Sequence, residues 1–176
     1  MTLARKKEKS RGFTAASSLT TAEEIPKRIF ETTTTLKFVL NDVLKGHAQN
    51  VDTMLACFFA KGHLLLEGPP GVGKTLLAKT FSSLIEDATF RRVQMTSDLL
   101  PSEIIGIIRP TANGANFEFR KGPIFAHILL ADELNRTSPK TQAALLEAMA
   151  ENKVTVDGSS YSLPDPFFVI ATQNPM

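Results

Sequence analysis

Gly68-Pro69-Pro70-Gly71-Val72-Gly73-Lys74-Thr75 decides how the rest of this chain is read. An apolar run, Leu64-Leu65-Leu66, leads into it, and an alternating apolar pattern at Leu76, Leu77, Phe81 and Leu84 leads out. That is strand, glycine-rich loop and helix, with the fixed positions of a phosphate-cradling P-loop at the right spacing. Gly71 and Gly73 let backbone N–H groups turn onto phosphate oxygens with no Cβ in the way. A helix starting near Lys74 adds its positive dipole end and orphan N–H groups. Lys74 is placed to bridge the β- and γ-phosphates, and the Thr75 hydroxyl to ligate Mg²⁺. The expected nucleotide-binding stretch is therefore Gly68, Pro69, Pro70, Gly71, Val72, Gly73, Lys74, Thr75 and Leu76.

Downstream, Ile128-Leu129-Leu130-Ala131-Asp132-Glu133 is an apolar run closing on two acids. A buried parallel strand reads this way, and its carboxyl end is where open α/β sheets bind ligands. Asp132 is placed to hold Mg²⁺, usually through water, and Glu133 to polarise an attacking water. A second such strand, Phe167-Phe168-Val169-Ile170-Ala171, ends in Thr172-Gln173-Asn174. A terminal amide beside the acids could orient water or touch the γ-phosphate.

Upstream, Pro26 suits a first helical turn, and Ile29, Thr33, Leu36, Leu40 and Val43 recur at helical spacing as far as Gly46. A second helix carries Val51, Met54, Leu55, Phe58 and Phe59 as core residues and ends at Gly62. Between the P-loop helix and the acids, Phe90 to Met95 reads as a short strand. Asn113-Gly114, lying between Ile107-Ile108 and Phe117-Glu118-Phe119, signals a β-hairpin. Ser138-Pro139 opens a helix carrying Ala143, Leu145, Leu146 and Met149. A second hairpin turns at Asp157-Gly158, between Val154-Thr155-Val156 and Tyr161.

The 176 residues are 43% hydrophobic and 22% charged, enough for one domain with a core. No stretch approaches the roughly 20 apolar residues of a membrane span, so no integral membrane segment is expected. A secretory leader is not expected either, and the cytoplasm is the default compartment. The lone Cys57 forms no internal disulfide, and the three scattered histidines lack zinc-ligand spacing. Residues 1–12 carry a net +4, leaving −2 for the rest, although the whole chain is +2. A basic disordered tail over 1–24 and a nucleotide-binding domain over 25–176 are expected. The acidic balance of the folded part speaks against sequence-specific nucleic-acid binding.

With loop, acid pair and terminal amide together, the chain resembles the AAA+ ATPases, and within them the MoxR family. The resemblance rests on Gly62 to Gly68 leading into the Walker A loop, Asp98-Leu99-Leu100-Pro101-Ser102-Glu103-Ile104, and residues Phe117 to Phe125. It rests further on the Walker B run Ala131 to Arg136, on Lys140 to Met149, and on the sensor-1 segment Ala171-Thr172-Gln173-Asn174-Pro175. It implies a three-layer αβα P-loop core with a parallel sheet and two hairpin insertions, at about 107–120 and 153–163, facing a ring's pore. It implies Lys74, Glu133 and Asn174 as catalytic residues, Thr75 and Asp132 as Mg²⁺ residues, and ATP with Mg²⁺ as cofactors. It also implies a chaperone-like motor, usually a hexamer, that remodels or matures protein complexes, often with partners carrying a von Willebrand factor A domain. One departure is Gly46-His47, where the family usually has Gly-Gln near the adenine. The sequence is read as stopping after sensor 1, before the arginine-finger helix, the fifth strand and the helical lid. In the strand order 2-3-4-1-5 this leaves residues 63–67 on an open edge. Slow turnover by this chain alone is expected. A non-catalytic, partner-binding fragment and a nucleic-acid-remodelling motor are the alternatives.

Overall fold

A computed structural model of the chain describes residues 24–69, 71–114 and 116–175. Residues 1–23 of the expected basic tail lie outside the described residues, as does Pro70 of the loop, whereas Glu24 already begins a helix. The chain runs α1 (Glu24–Val43), α2 (Ala48–Phe59), β1 (Leu64–Glu67), α3 (Lys74–Ser83), β2 (Phe90–Gln94) and α4 (Pro101–Ile105). It continues β3 (Gly106–Pro110), β4 (Phe117–Lys121), β5 (Ile128–Asp132), α5 (Pro139–Glu151), β6 (Lys153–Val156), β7 (Ser159–Ser162) and β8 (Phe168–Gln173).

The apolar runs become the sheet. All five residues of β5 and the first five of β8 are buried, which requires cover on both faces. The parallel order is β1-β8-β5-β2, with Leu64 opposite Ile170 and Ile128 opposite Phe168. Side-chain alternation then divides the core in two. Ile128, Leu130, Phe168 and Ile170 pack with Leu40, Val51, Met54 and Phe81 of α1, α2 and α3. Leu129, Ala131, Val169 and Ala171 pack on the opposite face with Ile104 of α4 and Leu145 and Ala148 of α5. The result is three layers, with β1 at one edge of the sheet.

Two helical faces depart from the periodicity. α1 buries Leu40 with Leu36 packed beside it, but Ile29 is 54% and Val43 42% exposed, so only the middle of its stripe meets the core. Phe59 is 48% exposed instead of core, because it ends α2 and leans edge-on against Phe58 at 5.6 Å. Phe58 does turn inward, edge-to-face with Phe81 at 5.0 Å and Phe168 at 5.5 Å.

Both hairpins are present, each as a separate antiparallel pair. Asp157 and Gly158 take φ of 47° and 77°, the left-handed pair of a two-residue turn. The Asn113-Gly114 connection is longer, closing through Thr111 N–H to Asn116 O at 2.8 Å. The short helix α4, which the periodicity does not reveal, feeds β3 through Gly106 at φ 121°. A Cβ there would sit 2.3 Å from the Arg120 carbonyl oxygen, so only glycine fits. Phe119 of the first hairpin stacks at 4.2 Å on Tyr161 of the second, so the two insertions lie against each other.

Ser138 caps α5, its hydroxyl accepting from Thr141 N–H at 3.3 Å, with Pro139 in the first turn. Ser138→Ala should cost about 1 kcal/mol, read as a lower urea midpoint at unchanged slope.

His63 fastens the start of β1. Nδ1 accepts from Val169 N–H at 3.0 Å, so Nε2 carries the proton and donates to the Met149 carbonyl at 3.2 Å. Burial lowers the His63 pKa below 6.5, and the Met149 bond opposes that only in part. The unfolded chain therefore takes up the proton first as the pH falls through 6.5, and stability declines until the lowered folded value is passed. Thermal melts between pH 8 and 5 should show this acid loss, and His63→Gln should flatten it. Among the described residues no helix is long and apolar enough to cross a membrane.

Candidate active site

Parallel strands bring their carboxyl ends to one rim of the sheet, and the predicted residues converge there. β1 runs into the glycine-rich loop, β5 delivers Asp132 and Glu133, β8 leads to Asn174, and β2 ends at Gln94 opposite Asp132. An open cavity of about 410 Å³ is lined by Gly71, Gly73, Lys74, Thr75 and Leu76 from the loop and α3. Arg92, Gln94, Asp132, Glu133 and Asn174 line it from the strands.

The loop has the geometry a phosphate requires. Gly71 and Gly73 take φ of 85° and 86°, where side chains are disfavoured. A Cβ on Gly71 would meet nothing within 4 Å, so the space over the loop is open to a ligand. Gly73 is the N-cap of α3, and the first-turn N–H groups of that helix have no intrahelical acceptors. Lys74 folds back over the loop. Its Nζ donates to the Gly68 carbonyl at 2.6 Å, Asn174 Oδ1 at 3.2 Å and the Gln173 carbonyl at 3.4 Å.

The acids are held differently. Asp132 is buried; its Oδ1 accepts from the Thr172 hydroxyl, and its Oδ2 from Arg92 Nε at 3.1 Å and Nη2 at 2.6 Å. Desolvation by burial raises its pKa. The Thr172 and Arg92 hydrogen bonds, with the charges of Arg92 and Lys74, outweigh that and bring it below 3.8. Its contribution to stability is thus present above that range and lost as the pH falls through the lowered value.

Glu133 has φ 59°, left-handed for a residue with a Cβ, which costs about 1–3 kcal/mol and turns its side chain into the cavity. Its N–H donates to Thr172 Oγ1 at 3.0 Å, so one hydroxyl ties both acids. Its Oε2 accepts from Gln94 Nε2 and from Arg136 Nη1, each at 2.7 Å, and its Oε1 from Asn174 Nδ2 at 3.0 Å. Asn174 therefore stands between Lys74 and Glu133, one end of its amide on each.

Of the described residues of the predicted site, Gly71, Gly73, Lys74, Thr75, Leu76, Asp132, Glu133 and Asn174 line this cavity, Gly68 and Pro69 do not, and Val72 faces a second, narrower cavity behind the loop. That cavity, about 160 Å³, lies between Leu66 and Glu67 of β1 and His47 and Asn50 at the start of α2. Sequence reasoning did not single out Arg92, Gln94, Arg136 or the double bond of Thr172. Arg92 and Gln94 are two apart on a strand, so they share a face; that spacing is the one signal pointing to them.

A family model described as the ATPase family associated with various cellular activities (AAA) matches residues 63–176. The uncharacterised protein YeaC of Bacillus subtilis (strain 168) is 53% identical over 137 residues, covering 78% of this chain and 42% of YeaC. Chaperone MoxR1 of Mycobacterium tuberculosis is 45% identical over 139 residues, covering 79% of this chain and 37% of MoxR1. A solved structure of a candidate ATPase from Cytophaga hutchinsonii superposes with TM-score 0.68 at 39% identity, over 86% of this chain and 48% of that one. The chain thus spans less than half the length of the curated relatives it matches.

Proposed function

Because the chain belongs to the ATPase family associated with various cellular activities, we propose that it binds ATP and forms part of a Mg²⁺-dependent, MoxR-like ATP-hydrolysing motor. The observation carrying this reading is the line Lys74–Asn174–Glu133, which joins a phosphate-binding cation to a carboxylate across one open cavity. Gly71, Gly73 and the first turn of α3 receive the phosphates, and Lys74 neutralises the β- and γ-oxygens. The base has room between His47 and Val72.

Thr75 and Asp132 face the same cavity and suit Mg²⁺, a cation commonly held by one or two protein oxygens together with substrate phosphates and water. When bound, the ion supplies charge neutralisation at the phosphates. Glu133 orients a water for in-line attack and accepts its proton, while Asn174 keeps Lys74 and Glu133 in register. In the described state two donors fill Glu133 Oε2 and one sits on Oε1, which leaves an Oε1 lone pair to take the proton.

The 176-residue chain by itself should therefore bind ATP and turn it over little. A robust, Glu133-dependent turnover by the isolated chain would overturn that expectation, and phosphate release at saturating ATP measures it. By similarity to MoxR1, whose name is that of a chaperone, the motor would act on protein complexes. We place it in the cytoplasm as a ring, a hexamer by resemblance, with von Willebrand factor A domain proteins as candidate partners. Negative-stain images of the protein with ATP would test the ring.

A further inference from the structure

Arg92 belongs to neither the loop nor the acid pair, yet it lines the same cavity as Lys74, Thr75 and Asn174. Both its Nε and its Nη2 donate to one oxygen, Asp132 Oδ2, and Nη2 also reaches Gln94 Oε1 at 3.4 Å. Thr172 already holds Oδ1, so side chains engage the Asp132 carboxylate on both oxygens. A buried carboxylate left without a partner is costly, and Arg92 supplies that partner. The two side chains differ in exposure, however: 48% for Arg92 against 13% for Asp132. The aspartate is enclosed, whereas the arginine reaches it from the cavity on a long, half-exposed stem. A cation at Asp132 competes with the guanidinium for the carboxylate, and a guanidinium released from it still lines the cavity it shares with Lys74, Thr75 and Asn174, where its fork of donors matches phosphate oxygens.

We infer that Arg92 is a placeholder cation on Asp132 that turns to the terminal phosphate of the nucleotide once a divalent cation takes the carboxylate. The inference rests on the nucleotide reading above and adds a second in-chain cation that distinguishes ATP from ADP. Arg92 is thus a specificity residue that Asp132 holds in reserve.

The test is titration of fluorescent methylanthraniloyl ATP and ADP into the wild-type chain, Arg92→Gln and Arg92→Lys, each with Mg²⁺ and with EDTA. With Mg²⁺, Arg92→Gln should weaken ATP about tenfold and ADP less than about twofold, the scale of one charge-assisted contact. Arg92→Lys should fall between, because it keeps the charge without the fork. In EDTA the wild-type preference for ATP over ADP should drop toward that of Arg92→Gln, since Arg92 stays on Asp132. Equal weakening of ATP and ADP would make Arg92 a mere prop for Asp132 and overturn the inference; so would no change in either. If Arg92→Gln loses its cooperative melt, Arg92→Lys carries the test, and an unaltered or equally weakened pair of affinities overturns it. A wild-type chain that binds neither nucleotide would sink the nucleotide reading itself. Lys74-dependent binding without an Arg92 effect would sink only this inference.

Discussion

Lys74→Ala should weaken ATP binding about 100-fold, more than any other single side-chain change in the loop. Lys74 carries a full charge into the cavity proposed to take ATP, whose phosphates carry several, and charge-assisted contacts to phosphate are roughly twice as strong as neutral ones. Losing two such contacts accounts for a factor of this size, at about 1.4 kcal/mol per tenfold. The local structure adds to the effect. Lys74 Nζ ties the Gly68 carbonyl at the start of the loop to Asn174 beyond β8, so truncation removes a brace between two strands as well as a charge. The folded core should survive, because Lys74 belongs to neither apolar cluster. Calorimetric or fluorescence titration of both proteins decides the matter, and equal affinities would refute the binding claim.

Glu133→Gln should separate binding from chemistry. In the assembled protein, turnover should fall about 10²- to 10³-fold while ATP affinity changes less than about threefold, since the change removes a base without removing a phosphate contact. The amide keeps the shape but exchanges one acceptor oxygen for a donor. That donor must face Gln94 and Arg136 on one side, losing two bonds, or Asn174 on the other, losing one. A modest drop in melting temperature should accompany the loss of activity. Turnover that persists in the variant would move the base to another group.

How much of this was legible beforehand differs by element. The P-loop was readable because its chemistry is local: glycines for positive φ, a lysine and a hydroxyl at fixed steps, and a helix start all lie within eight residues. Strands β5 and β8 were readable because burial on both faces leaves an unbroken apolar run. Both hairpins showed through their turn residues. α4 did not, since five residues are too few for a helical period to register. Phe59 was read as core although it is exposed, because periodicity reports which face of a helix is apolar and not how far its neighbour extends along it.

The site divides in the same way. The sequence by itself marked the glycine-rich loop, the two acids and the closing amide, which follow from residue type and short spacing. The order of the strands that carry them came only from the family resemblance. Only the tertiary structure decided that Thr172 bonds both acids, that Arg92 and Arg136 each hold a different one, and that Asn174 bridges Lys74 to Glu133. Apart from Arg136 and Glu133, which are three residues apart, these partners come from separate elements, across up to 100 positions of sequence in the Lys74–Asn174 case. Register alone brings them within hydrogen-bond reach, and register is a property of the assembled sheet. The loop at 68–75 thus carries the proposed nucleotide site, and the four strands around it set what holds the acids.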